Sequence, residues 1–242
     1  MNDFTTEELY DAVDRLVWEM LERHGIEEPP VDTLMLAEEE FDFRLVEVEP
    51  DEEDEPPGRF GPRPRRRNAR EIQFRPDHSE ASRAAICARA CAKELVPRIL
   101  VKLGVEHMPE TRGAHPMVSL IVPRLQLPTR WFGRDVRKSG NDLLALKRMY
   151  ATVSHEVLAL RWLDLDEPCI VAVVDFDAIA LRRSNARQVE RKLLPSEERC
   201  RVRIQETKLP ARVRTDDWTT HGWPIPGGPF GRIILRSLPD EI

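Results

Sequence analysis

The spacing of hydrophobic residues along the first 75 positions predicts two helices and two strands. Capping residues at Thr5–Glu8 precede apolar positions three and four apart up to Leu21, which is typical of an amphipathic helix. A second, short helix is predicted over 31–38 because the chain leaves a Pro-Pro break there. Hydrophobic and polar residues alternate over 41–48 and again over 71–75. We expect these two strands to pair as a β-hairpin with a long loop.

The longest helical pattern covers residues 79–103, where apolar side chains share one face and Gly104 occupies the capping position. Pro97 lies inside this pattern and is expected to kink or split the helix. A further helix is predicted over 116–127.

Two short helical patterns over 142–150 and 154–163 resemble a helix-turn-helix unit. Reading of DNA by the second helix is one interpretation of this pair. Plain packing is favoured, because that helix offers His155 and Arg161 among mostly apolar residues. Strands are then predicted over 169–176, 179–183, 202–204 and 232–235, which indicates a small C-terminal sheet.

Composition adds few constraints on the partner. The formal net charge is -6 with 33% charged residues, so nothing global requires nucleic acid or an anionic membrane. Residues 49–69 are expected to form a charged, Pro-rich loop. Its basic run at 65–67 is interpreted as compensation for the acidic neighbours, with a nucleic-acid or localisation patch as the alternative. The chain shows neither a leader pattern nor an apolar run of about 18 residues, and its four cysteines lack zinc-ribbon spacing. We therefore expect a cytoplasmic protein without a membrane partner.

Several short segments, taken in order, carry a resemblance to a known family. They lie at 29–32, 36–37, 71–74, 88–97, 125–132, 142–146 and 153–154. In order and spacing they resemble the ImmA/IrrE family of metallopeptidase-like proteins over about residues 7–165. The resemblance implies an α+β fold with a mostly helical, zincin-like domain at residues 1–165, a small β-hairpin within it and a helix-turn-helix-like pair at 129–165. Residues 166–242 would form a short β-rich region.

In catalytically intact relatives the central helix carries His-Glu-x-x-His, whose two imidazoles hold zinc while the carboxylate serves as base. Alignment through Ala88 and Glu94 places that motif on 89–93, so Arg89 and Lys93 stand at the imidazole positions and Ala90 at the base. The third ligand position falls near His115. Arginine and lysine offer no lone pair to a cation at neutral pH. The resemblance therefore implies a degenerate zinc motif, with no catalytic or metal-binding residue and no cofactor.

Cys87 and Cys91 are one helical turn apart, which is ligand spacing. Each precedes its motif position by two residues, roughly 200° around the helix, so packing thiols are favoured over a relocated metal site. His107 and His115 are interpreted as loop histidines, and Ser154 beside His155 cannot form a catalytic pair because adjacent helical residues point apart.

The expected function is a non-catalytic interaction or regulatory module linked to transcription or stress response, with a protein partner such as a transcriptional regulator. One alternative is an active zinc endopeptidase that cleaves a repressor through a rebuilt site. Another is a DNA-binding regulator acting through residues 142–163. For Arg89 and Lys93 two hypotheses stay open, namely capture of a partner's carboxylates and an internal ion pair with a residue such as Glu80.

Overall fold

The computed structural model describes residues 4–48, 70–105, 116–215, 217–227 and 231–240. The chain divides into two compact units, Met1–Phe132 with Tyr150–Val153, and Gly133–Met149 with Ser154–Ile242. The helices are α1 Thr6–Arg23, α2 Thr33–Glu39, α3 Glu80–Lys102, α4 Pro116–Gln126, α5 Thr129–Lys138, α6 Leu143–Met149, α7 His155–Arg161 and α8 Pro195–Thr207. The strands are β1 Arg44–Glu47, β2 Glu71–Phe74, β3 Ile170–Asp175, β4 Ala178–Ser184, β5 Ala211–Arg214, β6 Trp218–Pro224 and β7 Ile233–Pro239. The architecture is α+β, as the sequence predicted, and the predicted zincin-like character stays a prediction.

The first two helices begin at the predicted capping residues. The Thr5 hydroxyl accepts a hydrogen bond from the Glu8 backbone N–H at 3.2 Å, and the Glu8 carboxylate accepts one from the Thr5 N–H at 2.6 Å. The Asp32 carboxylate accepts hydrogen bonds from the N–H groups of Leu34 and Met35 at 3.0 and 2.9 Å. Both caps satisfy backbone donors that have no partner inside the helix. The helices predicted at 5–21 and 31–38 are confirmed.

Helix α3 is the central element of the first unit and contacts α1, α2 and α4. It begins after Ser79, whose hydroxyl accepts from the Ser82 N–H, and it continues through Pro97 to Lys102. The expected split at Pro97 does not occur; Pro97 lies on an exposed position of the helix. The buried face of α3 consists of small and branched side chains that join the core of this unit: Ala84, Cys87, Ala88, Cys91, Ala92, Leu95, Val96, Ile99 and Leu100.

Strands β1 and β2 form a two-stranded sheet, but the pairing is parallel, with Leu45 opposite Ile72 and Glu47 opposite Phe74. The predicted β-hairpin is therefore wrong, since a hairpin joins antiparallel strands. Parallel strands need a crossover of a dozen or more residues, and segment 48–70 is long enough to supply it. Alternation in a sequence reports which face of a strand is buried and carries no information about strand direction.

The second unit is built on a five-stranded antiparallel sheet with strand order β4-β3-β7-β6-β5. Helix α8 packs on one face, where Cys200 and Ile204 meet Ala172, Val174 and Leu235. A Cβ on Gly222 would lie 2.5 Å from the Ile204 Cδ1 atom, so glycine is what permits this close approach.

A buried polar network fixes the N-terminal end of α8 on the sheet. The Glu197 carboxylate accepts from the Arg182 guanidinium at 3.0 Å and from the Ser237 hydroxyl at 3.1 Å. The Thr220 hydroxyl bonds to Ser196 and Ser237, each at 2.9 Å. Each of these groups has a partner, which is what buried polar atoms require.

One further expectation about the C-terminal half is corrected. Residues 202–204 belong to α8 and not to a strand, because Cys200 and Ile204, one helical turn apart, supply the buried side. The predicted domain boundary at 165 stays a prediction. Helices α6 and α7 cluster with the C-terminal sheet, since α7 contacts β3 and β7. The region after 166 is thus one part of a mixed helix and sheet unit.

Candidate functional site

The positions that the family resemblance assigns to a zinc motif lie on the outer side of α3. Arg89 and Lys93 are exposed and Ala90 is half-buried. Within the described ranges of the chain, neither cation forms an ion pair, so the expected internal ion pair with Glu80 is not among the contacts found there. Two like charges one turn apart thus extend toward solvent.

Cys87 and Cys91 occupy the opposite, buried side of α3. Burial, followed by nearby negative charge, raises the pKa of each thiol to about 12. The Cys91 Sγ atom lies 4.0 Å from the Thr33 carbonyl oxygen, and the Thr33 hydroxyl donates to the Ala84 carbonyl at 2.9 Å. Because the thiolate is the form that binds metal or attacks an electrophile, these protonated thiols act as small packing groups at neutral pH.

The remaining metal-ligand candidates are not brought together in the described part of the chain. His107 and His115 lie outside the described residues, as does the charged loop at 49–69. Among residues 4–48, 70–105, 116–215, 217–227 and 231–240, no three His, Cys, Asp or Glu side chains converge in a way that could hold a metal ion. The chemistry of the α3 side chains does not fit a zinc site at the aligned positions, since they offer cationic donors and a methyl group.

Helix α7, the candidate DNA-reading helix, uses its side chains for packing. Leu158, Ala159 and Arg161 are buried, and the Arg161 guanidinium forms an ion pair with Asp164. Burial, and then the charge of Lys147, lowers the pKa of His155, so its ring is neutral at pH 7. Ser154 caps the helix, because its hydroxyl accepts from the Val157 N–H at 3.2 Å. A recognition helix presents long polar side chains to a groove. The long polar side chain that α7 leaves partly exposed is Glu156, an acid that is paired with the Arg232 Nη1 atom at 3.0 Å.

Helix α5 carries a set of cations that the sequence interpretation missed. Arg134, Arg137 and Lys138 are exposed and stand at i, i+3 and i+4, so they share one helical face. Asp135 and Val136, on the other side, are buried. We call the three basic residues the α5 cationic face. The i, i+3, i+4 spacing of the cations was the available signal.

The described surface also contains two clefts. In the first unit, a cleft of about 370 Å³ is bordered by Asp14, Trp18 and Arg130. Its charged groups are engaged, because Asp14 accepts from the Thr129 hydroxyl at 2.8 Å and the Arg130 guanidinium stacks over the Trp18 ring at 4.5 Å. Their side chains thus stiffen the wall of the cleft.

In the second unit, an open cleft of about 810 Å³ lies beside the N-terminus of α8. Arg199, Arg214, Asp217 and Trp218 are among the residues that line it. Arg214 is bound to Asp240 at 2.8 Å, so charges of both signs border the cleft. The lining therefore selects no ligand class by charge.

A solved structure of a Mycobacterium tuberculosis transcriptional regulator is similar to this chain, with a TM-score of 0.62 and 16% identity over 96% of this chain and 79% of that one. At that identity the likeness shows the fold. No protein-family profile matches the chain, and no curated protein does. Membership of the ImmA/IrrE family therefore stays a prediction.

In the part of the chain that the structure describes, the helices are too short or too polar to cross a bilayer.

Proposed function

We propose that this chain is a non-catalytic regulatory module of the ImmA/IrrE type that binds an acidic segment of a protein partner through Arg89 and Lys93. The observation that carries the proposal is the outward placement of these two cations, one turn apart on α3 and without an ion pair among the described residues. Ion pairs form readily with such side chains, because neither has to give up an existing partner.

The side-chain chemistry of α3 also favours binding over hydrolysis. Metal-assisted peptide hydrolysis needs a bound cation and a base that accepts a proton from water. The aligned positions hold Arg89, Ala90 and Lys93, and the buried thiols of Cys87 and Cys91 are protonated at neutral pH. Similarity to the fold of a transcriptional regulator supports a transcription-related partner, which is an argument by analogy.

The test compares two charge-neutralised variants in binding to a fluorescein-labelled octaglutamate peptide at low salt. Arg89→Gln with Lys93→Gln should weaken binding roughly fivefold, because two exposed ion pairs together contribute about 1 kcal/mol. The matched control, Arg137→Gln with Lys138→Gln, removes the same charge from α5 and should bind like the wild type. Equal binding by the first variant and the wild type would remove the proposal.

Elemental analysis separates the endopeptidase alternative. The purified chain should carry well under one zinc per molecule, since α3 offers no lone-pair ligands at the aligned positions. About one tightly held zinc per chain would support a rebuilt catalytic site and contradict the proposal.

A further inference from the structure

We infer that the α5 cationic face, formed by Arg134, Arg137 and Lys138, binds the phosphate backbone of a nucleic-acid duplex without reading its sequence. This inference is independent of the proposed role of α3. The site lies on a different helix and outside residues 142–163.

The exposed charge around α5 is positive. Residues 133–149 contain five cations and two carboxylates, although the whole chain carries a net charge of -6. Both carboxylates are occupied internally. Asp135 is buried and accepts from the Arg134 Nε atom at 2.8 Å, and Asp142 accepts from the Trp223 Nε1 atom at 3.0 Å and from the Leu144 N–H at 3.1 Å. Every exposed charged side chain of this segment is therefore cationic. Because Arg134 is paired with Asp135, Arg137 and Lys138 supply the uncompensated charge of the α5 cationic face among the described residues.

The helix backbone that carries the cations is held in place by its own contacts. Val136 is buried beneath the cations, the Ser139 hydroxyl donates to the Val136 carbonyl at 3.0 Å, and the Asn141 N–H donates to the same carbonyl at 3.0 Å. The helix end is thus closed by the following turn, in which Gly140 and Asn141 adopt φ of 62° and 64°. A fixed row of guanidinium and ammonium groups suits regularly spaced phosphates, and guanidinium can bind phosphate through two hydrogen bonds.

The lack of exposed large hydrophobic side chains in residues 133–149 favours a polyanion over a protein surface as the partner. A stable protein interface has an apolar centre, commonly with aromatic anchors. The exposed large hydrophobic side chains of the described residues all lie outside 133–149, at Val48, Val101, Phe176, Val202 and Leu209. Contacts made by positive charge alone position a protein on phosphates and carry no sequence information. Because α7 is packed against the sheet, base reading by its Arg161 is not available.

Cations in the last turn of a helix also interact favourably with the helix dipole, which is the purely structural role of Arg137 and Lys138. The experiment must therefore measure binding and stability separately. We use the full chain and a fluorescein-labelled 20-base-pair DNA duplex of arbitrary sequence, with anisotropy measured from 50 to 200 mM salt. Between these limits two or three phosphate contacts should weaken wild-type binding roughly 10- to 40-fold.

The variant Arg137→Gln with Lys138→Gln should bind DNA at least about tenfold more weakly at 50 mM salt. The slope of the logarithm of its binding constant against the logarithm of the salt concentration should be smaller than the wild-type slope by about 2. Its urea midpoint, measured alongside, identifies any structural effect. The matched control, Arg89→Gln with Lys93→Gln, removes the same charge from α3 and should bind DNA like the wild type. Arg137→Lys, which keeps the charge, should keep most of the binding.

Three results would overturn the inference. One is the absence of wild-type binding at 50 mM salt. Another is an equal loss in the α3 and α5 variants, which would indicate general charge steering. The third is a preference for octaglutamate over DNA that depends on Arg137 and Lys138, which would identify this face as a protein-binding surface. Loss of peptide binding in the α3 variant alone concerns the proposed function and leaves this inference unaffected.

Discussion

Replacement of Glu40 by glutamine should destabilise the first unit in a pH-dependent way. Glu40 follows α2 and its side chain is 8% exposed. One carboxylate oxygen accepts from the Arg23 Nη1 atom at 2.5 Å and from the His24 Nε2 atom at 2.9 Å, and the other accepts from the Arg98 Nη1 atom at 2.5 Å. The carboxylate thus joins the ends of α1 and α2 to α3, and Glu40→Gln keeps the shape while it removes the charge.

The magnitude follows from the pKa of this group. Burial alone raises the pKa of Glu40, but the hydrogen bonds from His24, Arg98 and Arg23 outweigh it and lower the pKa from 4.5 to about 2. A difference of that size corresponds to about 3 kcal/mol of folding stability at neutral pH. Because the Arg23 and Arg98 side chains are 53% and 44% exposed, solvent screening reduces our expectation to about 2 kcal/mol.

The direction with pH is fixed by the sign of the shift. A carboxylate whose pKa is lower in the folded state stabilises the fold above pH 4.5, and the contribution disappears as the pH falls toward 2. The glutamine variant does not titrate. The difference between wild type and Glu40→Gln should therefore fall from about 2 kcal/mol at pH 7 to less than half of that at pH 3.

Urea unfolding read by hydrogen exchange of peptides from α1 and α3 measures the first unit specifically. Glu39→Gln is the matched control, because Glu39 is 61% exposed and its contact with the His24 Nδ1 atom is 3.6 Å long. We expect a change below about 0.5 kcal/mol for it. Equal effects of the two variants, or a Glu40→Gln effect as large at pH 3 as at pH 7, would refute the reasoning.

Three other predictions concern the burial or exposure of individual side chains. Gly222→Ala should lower the free energy of unfolding by about 1–3 kcal/mol, because its Cβ would meet Ile204, and Ile204→Val should restore part of the loss in urea unfolding. All four cysteines are buried, and the pKa of each thiol is raised. Iodoacetamide at pH 7.5 should therefore label none of them before denaturation, as measured by mass spectrometry. Rapid labelling of the folded chain would contradict this. Arg89→His with Ala90→Glu and Lys93→His should not create tightly held, stoichiometric zinc, because two exposed imidazoles supply only half of the ligands of a tetrahedral site and the described residues contain no group of three ligand side chains to complete it. A one-to-one zinc content by elemental analysis would disprove this.

Local signals in the sequence predicted the helices of the first unit well. The Thr5 and Glu8 capping pair, Asp32 after the Pro-Pro break and Ser79 each bond the backbone of the helix that they precede. These interactions join residues two or three positions apart, so they can be predicted from the local sequence. The length of α3 was predictable for a related reason, since its apolar face repeats with helical period from Ala84 to Leu100.

The features that sequence reasoning missed depend on distant parts of the chain. Pairing of Leu45 with Ile72 is parallel or antiparallel according to the path of the connection, and local alternation is the same in both cases. Val202 and Ile204 alternate with polar residues as strand residues do. The segment is nevertheless helical, because Cys200 and Ile204, one helical turn apart, are both buried against the sheet. The grouping of α7 with the C-terminal sheet likewise depends on its contacts with β3 and β7, and no local sequence pattern predicts these contacts.

The difference between the buried side chains on one side of α3 and the exposed side chains on the other makes binding a better proposal than catalysis for its polar residues. Cys87, Ala88, Cys91 and Ala92 are fully buried and small, which lets α2 and α4 pack closely on this side. Imidazoles of a zinc site would need more volume there, and the positions that follow by two residues turn roughly 200° away toward water. The inner side of α3 is filled by methyl and thiol groups. Its charged side chains, including Arg89 and Lys93, therefore lie on the outer side. The proposed recognition of an anionic partner would use the positive charge of those two groups.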